Sequence, residues 1–102
     1  MLALLKKLFG GKSVNYKELM NNGAIIADVR SAGEYKAGHI PGSKNFPLDT
    51  ISKKIAELKK LNKPVITVCR SGTRSGMAKG ILKSAGIEVY NGGPWTSLKT
   101  KL

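Results

Sequence analysis

Two apolar runs limit what this chain can fold into. Ala24-Ile25-Ile26-Ala27-Asp28-Val29 is apolar except for its one acid, and Val65-Ile66-Thr67-Val68 is β-branched throughout. Neither run alternates apolar with polar residues, so neither fits a strand with one wet face; both suit strands covered on two sides. Helical patterns fall between and beyond them. Asn15–Asn21 reads as a short helix ended by Gly23. Ser31–Glu34 forms a capping box for a helix of one or two turns that stops at Gly38. Ile40-Pro41-Gly42 is a turn, and Ser43–Pro47 is a short extended piece limited by its proline.

Asp49 and Thr50 supply an N-cap for a helix to about Leu61, with Ile51, Ile55, Leu58 and Leu61 on one face. A helix from about Ser75 to Ala85 turns Met77, Ile81 and Ala85 inward, and Gly86 stops it. A final strand, Ile87–Tyr90, leads to the turn Asn91-Gly92-Gly93-Pro94, and Trp95–Lys101 makes one last helical piece. Strands alternating with helices define an α/β fold, a small, mostly parallel sheet with helices on both faces.

The chain has 102 residues, enough for one domain over residues 13–102 preceded by a short basic N-terminal arm or helix over residues 1–12. In Met1–Lys12 the apolar run is too short for a signal core and its lysines follow rather than precede it, so a cytoplasmic protein is expected. No apolar span reaches eighteen residues, which argues against a membrane crossing. One cysteine excludes an internal disulfide. The net charge of +12 raises the question of nucleic acid. The lysines are scattered along the chain, and the aromatic residues are not interleaved with them as a stacking platform requires. The charge reads instead as a solvated surface with a general pull on anions, on a protein expected to be a monomer and not to bind nucleic acid.

The chemistry lies after the second run. Cys69 stands where the strand stops, and Arg70-Ser71-Gly72-Thr73-Arg74 follow it. Fifteen of the eighteen basic residues are lysine, yet two of the three arginines fall within five positions of this thiol. A strand, a tight loop and a helix start bring backbone amides to one point, and Gly72 lets the loop close. The thiol itself can be the anion held there. Half-ionising a thiol of ordinary pKa near neutral pH takes about 1.5 units, or roughly 2 kcal/mol. A helix N-terminus gives about 0.3–1 kcal/mol, so loop amides and the two guanidiniums must supply the rest. Arginine also offers a planar fork for an oxyanion, which lysine does not.

Other residues carry weaker signals. Asp28 and Arg30, at the end of the first run, are either supports of the loop or a plain charge pair. His39, the sole histidine, sits in a turn and reads as structural, and one histidine builds no metal site. Trp95 reads as packing. No nucleotide-binding glycine motif is present, and neither metal nor organic cofactor is expected.

Taken together, these residues resemble the rhodanese homology domain over roughly Ser13 to Leu98. Asp28-Val29-Arg30 with Glu34-Tyr35, Gly38-His39-Ile40-Pro41-Gly42-Ser43 and Asn45-Phe46-Pro47 is similar to the family's first signature. Val65–Arg74 is similar to its strand and active-site loop, and Asn91-Gly92-Gly93 with Trp95 to its closing motif. The resemblance implies that Cys69 carries sulfane sulfur as a persulfide, cradled by the amides of the loop Cys69–Arg74. It implies a thiosulfate or polysulfide donor and a thiophilic acceptor such as a thiol-bearing protein; separately, the excess of lysine would suit docking of an acidic protein. One competing expectation is a sulfur carrier or docking module with little turnover of its own. A more distant one is a phosphatase or arsenate reductase of the same fold, which typically needs a loop one residue longer than the C-x-x-x-x-R spacing here.

Overall fold

The computed structural model describes residues 14–102. Four strands, β1 (Ile25–Asp28), β2 (Lys44–Asn45), β3 (Val65–Cys69) and β4 (Val89–Pro94), form one sheet in the order β2-β1-β3-β4. Every pairing is parallel, so the expected mostly parallel sheet is wholly so. The helices are α1 (Tyr16–Asn21), α2 (Ala32–Ala37), α3 (Ile55–Leu61), α4 (Thr73–Ser84) and α5 (Trp95–Lys99), with a 3₁₀ helix over Leu48–Lys54. The arm or helix expected over residues 1–12 lies outside the described residues.

Burial follows the two apolar runs. All five residues of β3 are buried, and successive side chains go to opposite faces. Val65 and Cys69 join one core with Ile51, Leu58, Ala78 and Leu82, from the 3₁₀ helix, α3 and α4. Ile66 and Val68 join a second core with Ile26, Ile40 and Leu98, against which Tyr16 and Leu19 of α1 and Trp95 of α5 pack. Cys69 therefore faces α4. The capping box of α2 is complete: Ser31 accepts from the Glu34 amide, and the Ser31 amide donates to the Glu34 carboxylate.

Three expectations are corrected. The segment after Pro47 opens as a 3₁₀ helix and not as an α-helix capped by Asp49 and Thr50; the Thr50 hydroxyl donates to the Pro47 carbonyl instead of accepting from an amide. The Leu48 amide bonds the Val29 carbonyl, tying this segment to the end of β1. Three residues per turn then bring Leu48 and Ile51 onto one side, against the core. Leu61, at the end of α3, is exposed.

The second correction concerns α4, whose buried residues are Ser75, Ala78 and Leu82; Ile81 packs against the core as expected, while Met77 is 58% exposed. The Thr67 hydroxyl, on the face of β3 that bears Cys69, donates to the Ser75 carbonyl at 2.9 Å. That bond fixes the phase of the first turn with Ser75 inward, and Met77, about 200° further round, points out.

Third, Asn91-Gly92-Gly93-Pro94 is strand rather than turn. Thr67 pairs with Asn91 but Val68 pairs with Gly93, so Gly92 is an extra residue, a bulge. A Cβ on Gly92 would lie 2.9 Å from the Ile66 methyl and 3.0 Å from both the Thr67 carbonyl and a Val68 methyl. Gly92→Ala is expected to cost about 1–3 kcal/mol by forcing the central strand aside. The urea midpoint checks this, and a midpoint equal to that of the parent would refute the close packing.

Candidate active site

The strand delivers Cys69 to the carboxyl end of the sheet, and the loop wraps round it. Gly72 takes a φ of +102°, a conformation open to glycine, and its amide donates to Cys69 Sγ at 2.9 Å. Ser75, buried in the first turn of α4, brings its hydroxyl to 3.3 Å from the same sulfur. Burial pushes the thiol up; hydrogen bonds from the Ser75 hydroxyl and amide and from the Gly72 and Ser71 amides outweigh it. The net effect holds Cys69 below the ordinary thiol range. Hydrogen-bond donors close to the sulfur carry the lowering.

Arg70 is exposed and forms no ion pair among the described residues. Ser71 and Thr73 are exposed, their hydroxyls 3.5 Å apart. Arg74 is committed elsewhere: Nη1 and Nη2 donate to the two carboxylate oxygens of Glu34 on α2 at 2.7 and 3.0 Å. Its fork is thus engaged by a carboxylate, because the planar geometry that suits a donor's oxyanion suits a carboxylate equally well. The field of the sulfur still reaches the Arg74 guanidinium, which it helps to keep charged.

Asp28 and Arg30 form a buried pair beside the loop. Arg30 Nε and Nη2 donate to the Asp28 carboxylate at 2.9 and 2.7 Å, and Nη2 also donates to the Gly38 carbonyl at 2.6 Å. The guanidinium lies 4.7 Å above the Trp95 ring, so the pair ties β1, the end of α2 and α5 together. Neither residue bonds the sulfur. His39 stacks on Tyr35, with ring centroids 3.8 Å apart, and its Nδ1 lies 2.7 Å from the Tyr35 carbonyl, a structural position. Among the described residues no cluster of His, Cys, Asp and Glu is arranged to hold a metal ion.

The sequence reading missed Ser75, Asn91 and the second role of Glu34. The Ser75 hydroxyl donates to Asn91 Oδ1 at 2.7 Å, and that oxygen also accepts from the Gly93 amide at 2.9 Å. Asn91 Nδ2 donates to the Gly72 carbonyl at 3.3 Å, so one side chain on β4 braces both the loop and α4. Asn-Gly-Gly reads as a turn, which hid Asn91; the capping box already accounted for Glu34.

A parallel α/β sheet with its one thiol at a strand end, encircled by amide donors, defines a cysteine-loop domain built to hold charge on sulfur. The rhodanese-like domain model matches residues 14–94, and the chain belongs to that family. The uncharacterised protein YqhL of Bacillus subtilis is 38% identical over 69 residues, which are 67% of this chain and 54% of that protein. The thiosulfate sulfurtransferase GlpE of Pseudoalteromonas translucida is 40% identical over 68 residues, 66% of this chain and 64% of the relative. The match thus spans between half and two thirds of these relatives' lengths. Among solved structures, a rhodanese from E. coli determined with anions superposes with a TM-score of 0.68 at 32% identity, covering 74% of this chain and 91% of that one.

Glu34 generates a prediction here. Arg74 and Ser31 hold its carboxyl down to about 2. A depressed carboxyl adds stability above its unfolded pKa of about 4.3, and that contribution is lost as pH falls from there towards 2. Glu34→Gln keeps the capping box, since glutamine also serves there, but removes the charge. Its melting temperature is expected to fall below that of the parent at pH 7 and to converge with it between pH 4.5 and 2. A gap that is constant with pH would show that the ion pair does not contribute.

Proposed function

We propose that the chain is a sulfurtransferase that moves sulfane sulfur from thiosulfate or a polysulfide to a thiophilic acceptor through a persulfide on Cys69. The observation that carries this reading is the buried sulfur with the Gly72 amide at 2.9 Å and the Ser75 hydroxyl at 3.3 Å, in a chain of the rhodanese-like family. Several curated relatives are named thiosulfate sulfurtransferases, which supports the same chemistry.

In the first half-reaction Cys69 thiolate attacks the outer sulfur of thiosulfate. A new S–S bond forms, the S–S bond of thiosulfate breaks, and sulfite leaves with the bonding pair. The product is a persulfide anion on Cys69, its charge met by loop amides that are already oriented. In the second half-reaction an acceptor attacks the outer sulfur and Cys69 leaves as the thiolate, a ping-pong cycle. In this reading Arg70 guides the incoming anion, and Arg74 meets it by sharing or yielding its bond to Glu34. A cytoplasmic setting, and an acidic or thiol-bearing protein as acceptor for this +12 chain, belong to the same proposal.

Intact-mass measurement after incubation with thiosulfate tests it. A gain of one sulfur, about 32 Da, reversed by cyanide and absent in Cys69→Ser, is the expected result. No gain with thiosulfate or polysulfide would overturn the assignment, and loading without turnover would make the protein a carrier. Arg74→Lys keeps the charge and loses the fork, so KM for thiosulfate is expected to rise roughly threefold to tenfold. An unchanged KM in steady-state assays would remove Arg74 from donor binding.

A further inference from the structure

The buried chain of side chains behind Cys69 has a proton count that does not close in one arrangement. Ser75 Oγ bears one hydrogen, yet two acceptors lie within reach: Cys69 Sγ at 3.3 Å and Asn91 Oδ1 at 2.7 Å. Asn91 is held in this orientation from three sides. Oδ1 accepts the Gly93 amide, Nδ2 donates to the Gly72 carbonyl, and the Asn91 carbonyl accepts from the Tyr16 hydroxyl at 3.1 Å. The bulge at Gly92 sets the backbone that aims it. Asn91 therefore cannot turn away, and only the serine proton is free to choose.

When sulfur is a neutral thiol, S–H donates to Ser75 Oγ and Ser75 donates to Asn91, so every group is satisfied. When sulfur is a thiolate, that arrangement would leave a serine lone pair against the negative charge. Turning the O–H to sulfur meets that charge; Asn91 Oδ1 keeps the Gly93 amide, and the 2.7 Å contact between Ser75 Oγ and Asn91 Oδ1 must then lengthen. We infer that Ser75 is a further catalytic residue whose one hydroxyl proton follows the charge on Cys69 Sγ, with Asn91 as the positioning residue that competes for that proton. On the sulfurtransferase reading, the same proton serves both half-reactions: it is on Sγ when the thiolate attacks and again when the thiolate leaves. Between these it returns to Asn91, because the persulfide charge sits on the outer sulfur.

Competition makes the two variants act in opposite directions. Removing the Ser75 hydroxyl takes a donor from the thiolate and raises its pKa; removing the Asn91 acceptor frees that donor and lowers it. The charged groups on the surrounding elements are Arg70 and Arg74 on the loop, Glu34 on α2, and the Asp28–Arg30 pair at the end of β1, and none is altered in either variant. The readout is the pH profile of Cys69 alkylation by iodoacetamide, which needs no sulfur donor and so does not depend on the proposed function. Ser75→Ala is expected to raise the apparent pKa by about one unit, a tenfold change in ionisation, and Asn91→Ala to lower it by about half a unit. In the double variant the Asn91 change is expected to have no further effect. A pKa unmoved by Ser75→Ala, or raised by Asn91→Ala as much as by Ser75→Ala, would overturn the inference. If either alanine variant fails to fold, the near-isosteric Asn91→Leu still carries the predicted lowering, and a pKa that it leaves unmoved or raises would overturn the inference. Loss of thiosulfate turnover in the parent itself, with these shifts intact, would count against the sulfurtransferase reading alone.

Discussion

Strand β3 is buried at every residue, and the rest of the molecule is arranged around that constraint. A strand with no wet face needs partners on both edges and helices on both sides, which β1, β4 and the two cores supply. Parallel neighbours then require a crossover before each return, and the crossover from β3 to β4 is α4. The loop feeding that helix must start where β3 stops, so the residue delivered to the loop at the strand's end is Cys69. Thr67, the only polar residue within the strand, is buried because its hydroxyl reaches both the Ser75 and Tyr90 carbonyls. The central strand thus both positions the sulfur and fixes the helix that brings it a second donor.

The site meets negative charge on the sulfur chiefly with dipoles at short range. Burial alone would keep the thiol protonated, and an ion pair with Arg74 would have offset this directly. The guanidinium is instead held by Glu34, leaving amides and one hydroxyl to act on the sulfur. Amides fixed by the backbone need no reorganisation to meet charge on the sulfur.

What could be read from sequence follows a physical divide. The strands, the capping box at Ser31 and Glu34, the stops at Gly38 and Gly86 and the cysteine loop were legible because each rests on a local pattern. The phase of α4 was legible only in part: Ile81 packs inward as expected, but a phase that turned Met77 in matched the local pattern as well as the one that turns Ser75 in. A single long-range bond, Thr67 to Ser75, decides between them. Asn91 was hidden for the opposite reason, since Asn-Gly-Gly is so strong a turn signal that its use as a bulged strand had no local mark. The bond from Arg74 to Glu34 had no local mark because the two lie forty residues apart.

The bulge in β4 has an effect beyond the site. β4 is an edge strand of six residues, the kind of border that invites another chain to add itself to the sheet. The extra residue at Gly92 interrupts a regular ladder, Tyr16 from α1 takes the Asn91 carbonyl, and Pro94 offers no amide. The opposite border, β2, has only two residues. One irregularity therefore both shapes the thiol's surroundings and keeps the sheet from growing. A substitution that straightened this strand would trade a tuned sulfur for a sticky margin, so solubility and reactivity are inherited together.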